Sequence, residues 1–296
     1  MRIAITGSSG LIGTALTAAL EDAGHDLLHV VRHAPTTGRA EVQWDIDAGF
    51  VDADALEGVE AIVHLAGENI GQRWSDDIRR RVLDSRVNGT RLIAEAAAGL
   101  ASRPVLVCAS AIGFYGDRGD EIVDEESVPG SGFLADVVEA WEASAEPARA
   151  AGLRTAHLRQ GIVLSKEGGA LARMLLPFKL GTGGRIGSGR QWWSWVSLDD
   201  VVAAYLFALE QPLAGPVNVV APGVVTNQEF VRAVGRALHR PTIFPLPAAA
   251  VKAAFGQMGE EMLLGGQRVA PTRLEAAGFT FGQPDIDSGL ASALVG

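Results

Sequence analysis

Arg2-Ile3-Ala4-Ile5-Thr6-Gly7-Ser8-Ser9-Gly10-Leu11-Ile12-Gly13 opens the chain as strand, glycine turn and helix start. Ile3 to Ile5 is a short apolar run that predicts a buried parallel strand, and the amphipathic run from Leu11 to Ala23 predicts a helix. Gly7, Gly10 and Gly13 fall where three needs arise: a tight turn, close approach of backbone to a pyrophosphate, and close packing of helix on strand. The helix N-terminus adds free N–H groups and the positive end of its dipole. Gly7, Ser9, Gly10, Leu11, Ile12 and Gly13 are therefore candidate dinucleotide contacts. The alternative is an ordinary glycine-rich strand-to-helix turn.

The next strand, Leu27 to Val31, ends in Arg32-His33. A site that prefers NAD usually places a carboxylate near this point for the ribose hydroxyls. Arg32 is a cation instead, which favours a 2′-phosphate and hence NADP; a merely solvated arginine is the other reading. Further apolar runs at Val42–Trp44, Ala61–Leu65, Val105–Ala109, Arg154–Leu158 and Val217–Val220 alternate with helical stretches. They predict an α/β, Rossmann-like doubly wound parallel sheet. Ser75 caps a long helix from about Asp76 to Leu100, in which Gly89 implies a close packing contact.

The chain has 296 residues, 48% hydrophobic and 20% charged, with a formal net charge of -10. That balance argues against a nucleic-acid partner, which needs clustered Lys and Arg. The single cysteine, Cys108, suits a reducing cytoplasm. A first strand at residue 2 leaves no room for a signal peptide, and no apolar run reaches the ~20 residues of a membrane span. His25, His29 and His33 straddle a loop and a strand rather than one helix face, so no metal site is expected. Ala109-Ser110-Ala111 lacks the glycines of a hydrolase elbow.

From Lys166 the strict alternation stops. A helix with Pro177 runs into the glycine cluster Gly181–Gly189, then Arg190-Gln191-Trp192-Trp193-Ser194-Trp195. Arg185, Gln191, Trp192 and Trp195, with Glu68 after the fourth strand, are candidate substrate contacts for an anionic or ring-bearing small molecule; aromatic packing under a loop is the alternative. The acidic loop Asp117 to Ser131 is expected to be solvated, and Pro147 to kink or end a helix. Ser197 with Asp200 and Thr226 with Glu229 resemble capping boxes. The expected division is a coenzyme domain of residues 1–165 plus about 196–222, and a smaller C-terminal α+β substrate or cap domain of about 166–195 plus 223–296, ending in short helices and a small hairpin. A monomer or a homodimer is expected.

Thr6-Gly7-Ser8-Ser9-Gly10-Leu11-Ile12-Gly13, His64-Leu65-Ala66-Gly67 and Val87-Asn88-Gly89-Thr90 resemble the extended short-chain dehydrogenase/reductase superfamily. Ser110-Ala111-Ile112-Gly113-Phe114-Tyr115-Gly116, Gly187-Ser188-Gly189-Arg190-Gln191 and Gly278-Phe279-Thr280-Phe281 are similar to its atypical, nucleoside-diphosphate-sugar epimerase-like branch. The resemblance implies NADP-dependent hydride transfer to or from a small carbonyl or nucleotide-sugar-like substrate, as reductase or epimerase. It adds Leu65, Ala66, Gly67, Arg86, Gln160, Gly161 and Ile162 to the expected coenzyme contacts. It also shows a departure: aligning Glu142 with the superfamily's helix glutamate puts Leu134 and Val138 where tyrosine and lysine stand in relatives, and Arg86 where many carry asparagine. Ser110, to polarise a carbonyl, and Tyr115, to supply a proton, remain the candidate catalytic residues. The alternative is a non-catalytic NADP-binding regulatory or scaffold protein.

Overall fold

The computed structural model describes residues 1–295. The first half runs β1 (Arg2–Thr6), α1 (Leu11–Asp22), β2 (Asp26–Val31), β3 (Glu41–Asp45), β4 (Phe50–Val51), β5 (Ala61–His64), α2 (Asp76–Gly99), β6 (Val105–Ala111), β7 (Ile122–Val123), α3 (Phe133–Ala143), α4 (Glu146–Ala150) and β8 (Thr155–Gln160). The second half adds β9 (Ile162–Leu164), α5 (Gly169–Lys179), β10 (Trp192–Trp193), β11 (Trp195–Ser197), α6 (Leu198–Glu210), β12 (Gly215–Val219), β13 (Val225–Thr226), α7 (Asn227–Leu238), α8 (Ala248–Phe255) and β14 (Arg268–Val269).

Eight strands make one sheet in the order β12-β8-β6-β5-β1-β2-β3-β4, parallel throughout except for β4 against β3. Strand residues alternate between two cores: Ile3, Ile5, Val63, Val107 and Leu158 face one side with α1 and α6, while Ala4, Ile62, Leu106 and Cys108 face the other with α2. Burial on both faces is why these strands read as unbroken apolar runs. The order turns around beside β1, with β2 on one side and β5 on the other. The loops after β1 and β5 therefore part at the carboxyl edge, where a doubly wound sheet takes its ligand. A third core joins α5, α7, β11 and a C-terminal helix (Ile286–Val295) through Leu175, Phe230, Trp195 and Leu290.

Local sequence signals explain most boundaries. Ser75 accepts from Ile78 N at the start of α2, and Gly89 lies against Trp44 and Ile46, where a Cβ would sit 3.3 Å from Ile46 Cδ1. Thr226 and Glu229 complete a capping box on α7. At Ser197 only half of the expected box forms, because the Asp200 carboxylate turns away to accept from Gly282 N and Gln283 N. As expected, the helix ends ahead of Pro147: α3 stops at Ala143, and Pro147 lies in the first turn of α4, where a residue lacking an N–H is tolerated.

Two expectations for the loops and the tail are corrected. The loop from Asp117 to Ser131 is not wholly solvated: it contributes β7, which pairs in parallel with β14, so the expected C-terminal hairpin is replaced by this pairing. Glu125, 6% exposed, accepts from Asn218 N and Arg273 N. Leu274, Phe279 and Phe281 pack into the sheet core rather than the third cluster, so this part of residues 223–296 is attached to the sheet.

The core holds two imidazoles, His64 and His157, whose burial pushes both pKa values down to about 4. Each stays neutral in the fold, whereas the unfolded chain takes up a proton near pH 6.5. Their contribution is therefore fully present above that pH and is lost as pH falls from 6.5 towards 4, by roughly 3 kcal/mol for each group. In an NMR titration neither ring should shift between pH 7.5 and 5; a midpoint near 6.5 for either would contradict this account.

Candidate functional site

The turn after β1 is built by exclusion. Gly7 has φ +68°, and a Cβ there would sit 2.9 Å from Ala66 N; a Cβ on Gly13 would overlap the Gly7 carbonyl oxygen and lie 2.7 Å from Ser8 Cα. The turn is closed by Gly10 N donating to Gly7 O at 3.0 Å. Gly10 is the N-cap of α1 and supplies no side-chain cap, so the first-turn N–H groups point outward with the dipole behind them. Thr6 ties this turn to the neighbouring loop: its Oγ1 accepts from Leu65 N and Ala66 N at 3.1 and 3.2 Å and bonds His64 Nδ1 at 2.8 Å. Ser9 is exposed, Ile12 packs on the sheet core, and Leu11 packs against Gly168 and Gly169 at the start of α5.

Arg32 follows β2 directly, is exposed, and has no hydrogen-bond or ion-pair partner among the described residues. Arg86 differs. Its Nη1 donates to the main-chain oxygens of Glu68 and Val82 at 3.0 and 3.2 Å, its guanidinium lies 5.0 Å from the Trp141 ring, and Gly67 packs on it. Burial lowers its pKa to about 10, partly opposed by the Glu68 charge. Glu68 itself reaches Gln72 and, at 4.0 Å, Arg81. Gln160 spends its amide on Tyr205, while Gly161 N and Ile162 N donate to Val219 O and Ser194 O. These bonds tie the end of β8 to α6 and β12, and the start of β9 to Ser194 between β10 and β11.

A buried polar chain runs behind the carboxyl end of β6. Ser110 Oγ donates to Glu142 Oε1 at 2.6 Å, Arg159 grips both Glu142 oxygens at 2.8 and 2.7 Å, and Arg159 Nη1 donates to Tyr115 Oη at 3.0 Å. Tyr115 in turn donates to Asn218 Oδ1 at 2.7 Å. Burial works to raise the Glu142 pKa, but the Arg159 bonds outweigh it and hold the carboxyl below its usual range. Burial pushes the Tyr115 phenol up to about 12.

In this arrangement both catalytic candidates bond inward. Tyr115 is fully buried with its hydrogen committed to Asn218, so it has no proton to deliver to a ligand. Ser110 gives its hydrogen to Glu142. Leu134 and Val138, in the superfamily's tyrosine and lysine positions, pack on Gly113.

Two of the proposed substrate contacts are likewise structural. Trp195 is fully buried and donates to Gly223 O; Gln191 pins its loop by donating to Ile186 O and Leu263 O. Arg185 donates to Gly187 O and Ser188 O within its own turn. Trp192 remains partly open, bonded to Asp120 and covered by Arg268 at 4.4 Å. Sequence reasoning missed Glu261, whose carboxylate accepts from Phe133 N and Leu134 N and so caps α3 from the far end of the chain. No local pattern links positions that far apart. Among the described residues there is no cluster of metal-binding side chains, and no helix is long and apolar enough to cross a membrane.

A parallel sheet with an uncapped glycine turn at its switch point defines a nucleotide-binding short-chain dehydrogenase/reductase fold. The chain belongs to the NAD dependent epimerase/dehydratase family, whose model matches residues 3–221, and it is an atypical extended member; residues 246–293 match a domain of unknown function, DUF1731. It is 48% identical to epimerase family protein Mb2239 of Mycobacterium bovis over 98% of this chain and 97% of that one. The crystal structure of human epimerase family protein SDR39U1 (isoform 2) with NADPH superposes with a TM-score of 0.88 at 36% identity, covering 99% of both chains. A nucleoside-diphosphate sugar epimerase from Corynebacterium glutamicum gives a TM-score of 0.80 at 37% identity, covering 99% of this chain and 58% of that one.

Proposed function

We propose that the chain binds NADP(H) across the turn Gly7–Gly13 and uses it in hydride transfer with a small carbonyl compound, the lobe built on α5 and α7 forming the other wall of the cleft. The observation that carries this reading is the pairing of an uncapped helix start, in a turn that admits no Cβ at Gly7 or Gly13, with an exposed cation free of partners at the end of β2. The residues present fit the coenzyme. Main-chain N–H groups of Leu11 and Ile12 would take the diphosphate, and Arg32 the 2′-phosphate. The NADPH in the human relative's structure supports the same choice. When bound, the coenzyme supplies a hydride; this chain's residues position it and exclude water.

Replacing Arg32 by aspartate tests the choice of coenzyme. The variant should lose all preference for NADPH over NADH in a binding titration, and an unchanged ratio would show that Arg32 is not the discriminator. Leu134 and Val138 favour a second reading, a binding protein that catalyses nothing. NADPH oxidation over a panel of carbonyl compounds separates the two: consumption with any of them supports the enzyme, and none supports the binder.

A further inference from the structure

Helix α7 ends at His239, whose left-handed backbone (φ +53°) turns the chain back along the helix it has just left. Gly235 lets the two run in contact: a Cβ there would sit 2.5 Å from Thr242 Cγ2 and 2.9 Å from Arg240 O. The returning segment is held at its far end by Leu246 N donating to Arg185 O and Gly187 N to Leu246 O, both at 2.9 Å. Pro241, Pro245 and Pro247 stiffen it. A groove of about 660 Å³ lies between α7 and the start of this segment, and a second of about 320 Å³ continues from it through Arg232 and Thr242.

The charge of these grooves runs against that of the chain. The sequence carries 35 acidic and 25 basic residues, yet the charged lining is Arg185, Arg232, Arg236 and Arg240, with His239, and no carboxylate is among the described lining residues. Arg232 is exposed and has no hydrogen-bond or ion-pair partner among the described residues. Arg240 commits only its Nε, to Lys179 O, and Arg185 only its Nη1, to Gly187 O and Ser188 O. Two carboxylates nearby leave most of this charge unmatched: Glu229 is turned onto Thr226, and Asp287 pairs with Arg236 in a contact where both side chains are more than half exposed.

Apolar surface adjoins the guanidinium groups. Ile243 and Phe244 are 71% and 56% exposed, and the end of α5, joined to this segment through Arg240 and Lys179, adds Leu176 and Leu180 at 64% and 69%. A contiguous apolar strip rimmed by charge marks an interaction surface, and a segment already pinned by hydrogen bonds and prolines loses little freedom on binding. The lining follows α7 from Gln228 to its cap His239, about 16 Å, the length of about three turns of a docked helix.

We infer that this face docks an acidic amphipathic helix of a partner protein, its apolar side chains against Ile243 and Phe244 and its carboxylates against Arg232 and Arg240. Charge decides among the occupants. A second copy meeting this face with its own across a two-fold axis would oppose guanidinium to guanidinium. A chain of net charge -10 is repelled as a whole by an anionic bilayer or a nucleic acid.

The test uses the full chain and a fluorescein-labelled helical peptide of about five turns, with leucine on one face and glutamate on the others, read by anisotropy. The peptide should bind, and its affinity should fall at least ~10-fold between about 50 and about 300 mM salt. Arg232→Glu combined with Arg240→Glu, and separately Phe244→Ser, should each weaken it at least ~10-fold and leave the thermal unfolding midpoint unchanged, since all three side chains are exposed. Lysine in place of glutamate in the peptide should abolish binding to the parent chain, a comparison that needs no variant. No binding of the glutamate peptide, equal binding of the lysine peptide, or folded variants that bind as the parent does would overturn the inference. So would tighter binding to phosphatidylserine vesicles, or self-association of the parent that Phe244→Ser abolishes, because the surface would then serve a bilayer or a second copy.

Discussion

A Gly13→Ala variant should lose NADPH affinity by about 30-fold or more and unfold more easily than the parent. The new methyl group would overlap the Gly7 carbonyl oxygen and crowd Ser8 Cα at 2.7 Å, both backbone atoms of the turn. Neither can yield as a flexible side chain can, so α1 must move away from β1. Overpacking of this kind costs about 1–3 kcal/mol, and a displacement of the phosphate-facing N–H groups appears in binding at tenfold for each 1.4 kcal/mol. Gly10→Ala is the informative contrast. Gly10 has φ −78° and its nearest neighbour to a Cβ, Gly7 O, lies at 3.3 Å. It should fold nearly as well as the parent and lose affinity only through crowding of the diphosphate. Titration calorimetry and chemical denaturation of both variants separate the two effects; a Gly13→Ala protein that binds as tightly as the parent would refute the packing argument.

Glu142→Gln should cost about 3–5 kcal/mol of stability, the loss associated with leaving one member of a buried ion pair uncompensated. Arg159 is 4% exposed at its side chain and Glu142 13%, with two short bonds between them. Neutralising the acid strands a guanidinium that also supports Tyr115 and covers the Phe114 ring at 3.5 Å. Replacing both partners by leucine should recover much of the loss, because an apolar pair of similar size needs no compensation. Urea unfolding of Glu142→Leu, Arg159→Leu and the double variant measures the coupling. A loss under about 1 kcal/mol for Glu142→Gln would place the pair among solvated ion pairs.

The sheet was legible because its evidence is local. Runs such as Ile3–Ile5 and Ala61–Val63 carry apolar residues at every position, as strands covered on both faces must, and Gly7 and Gly13 mark a turn where a side chain cannot fit. Arg32 was legible for the same reason: its place at the end of β2 follows from the strand itself. The polar chain from Ser110 through Glu142 and Arg159 to Tyr115 and Asn218 was not legible. Each residue reads on its own as a free donor or acceptor, and only the fold brings partners 32, 17, 44 and 103 positions apart within bonding distance. Tyr115 shows the consequence: a phenol in a loop beside the expected coenzyme edge looked available, and Asn218 of β12 had already claimed it. Asp200 and Glu261 make the same point, the first leaving a local capping box for Gly282 and Gln283 and the second capping a helix from the far end of the chain.

The coenzyme turn is the part on which the rest depends, and titration calorimetry of the purified chain with NADPH addresses it directly. The account predicts saturable uptake of one NADPH per chain, tighter than that of NADH. No heat of binding with either nicotinamide coenzyme would contradict it.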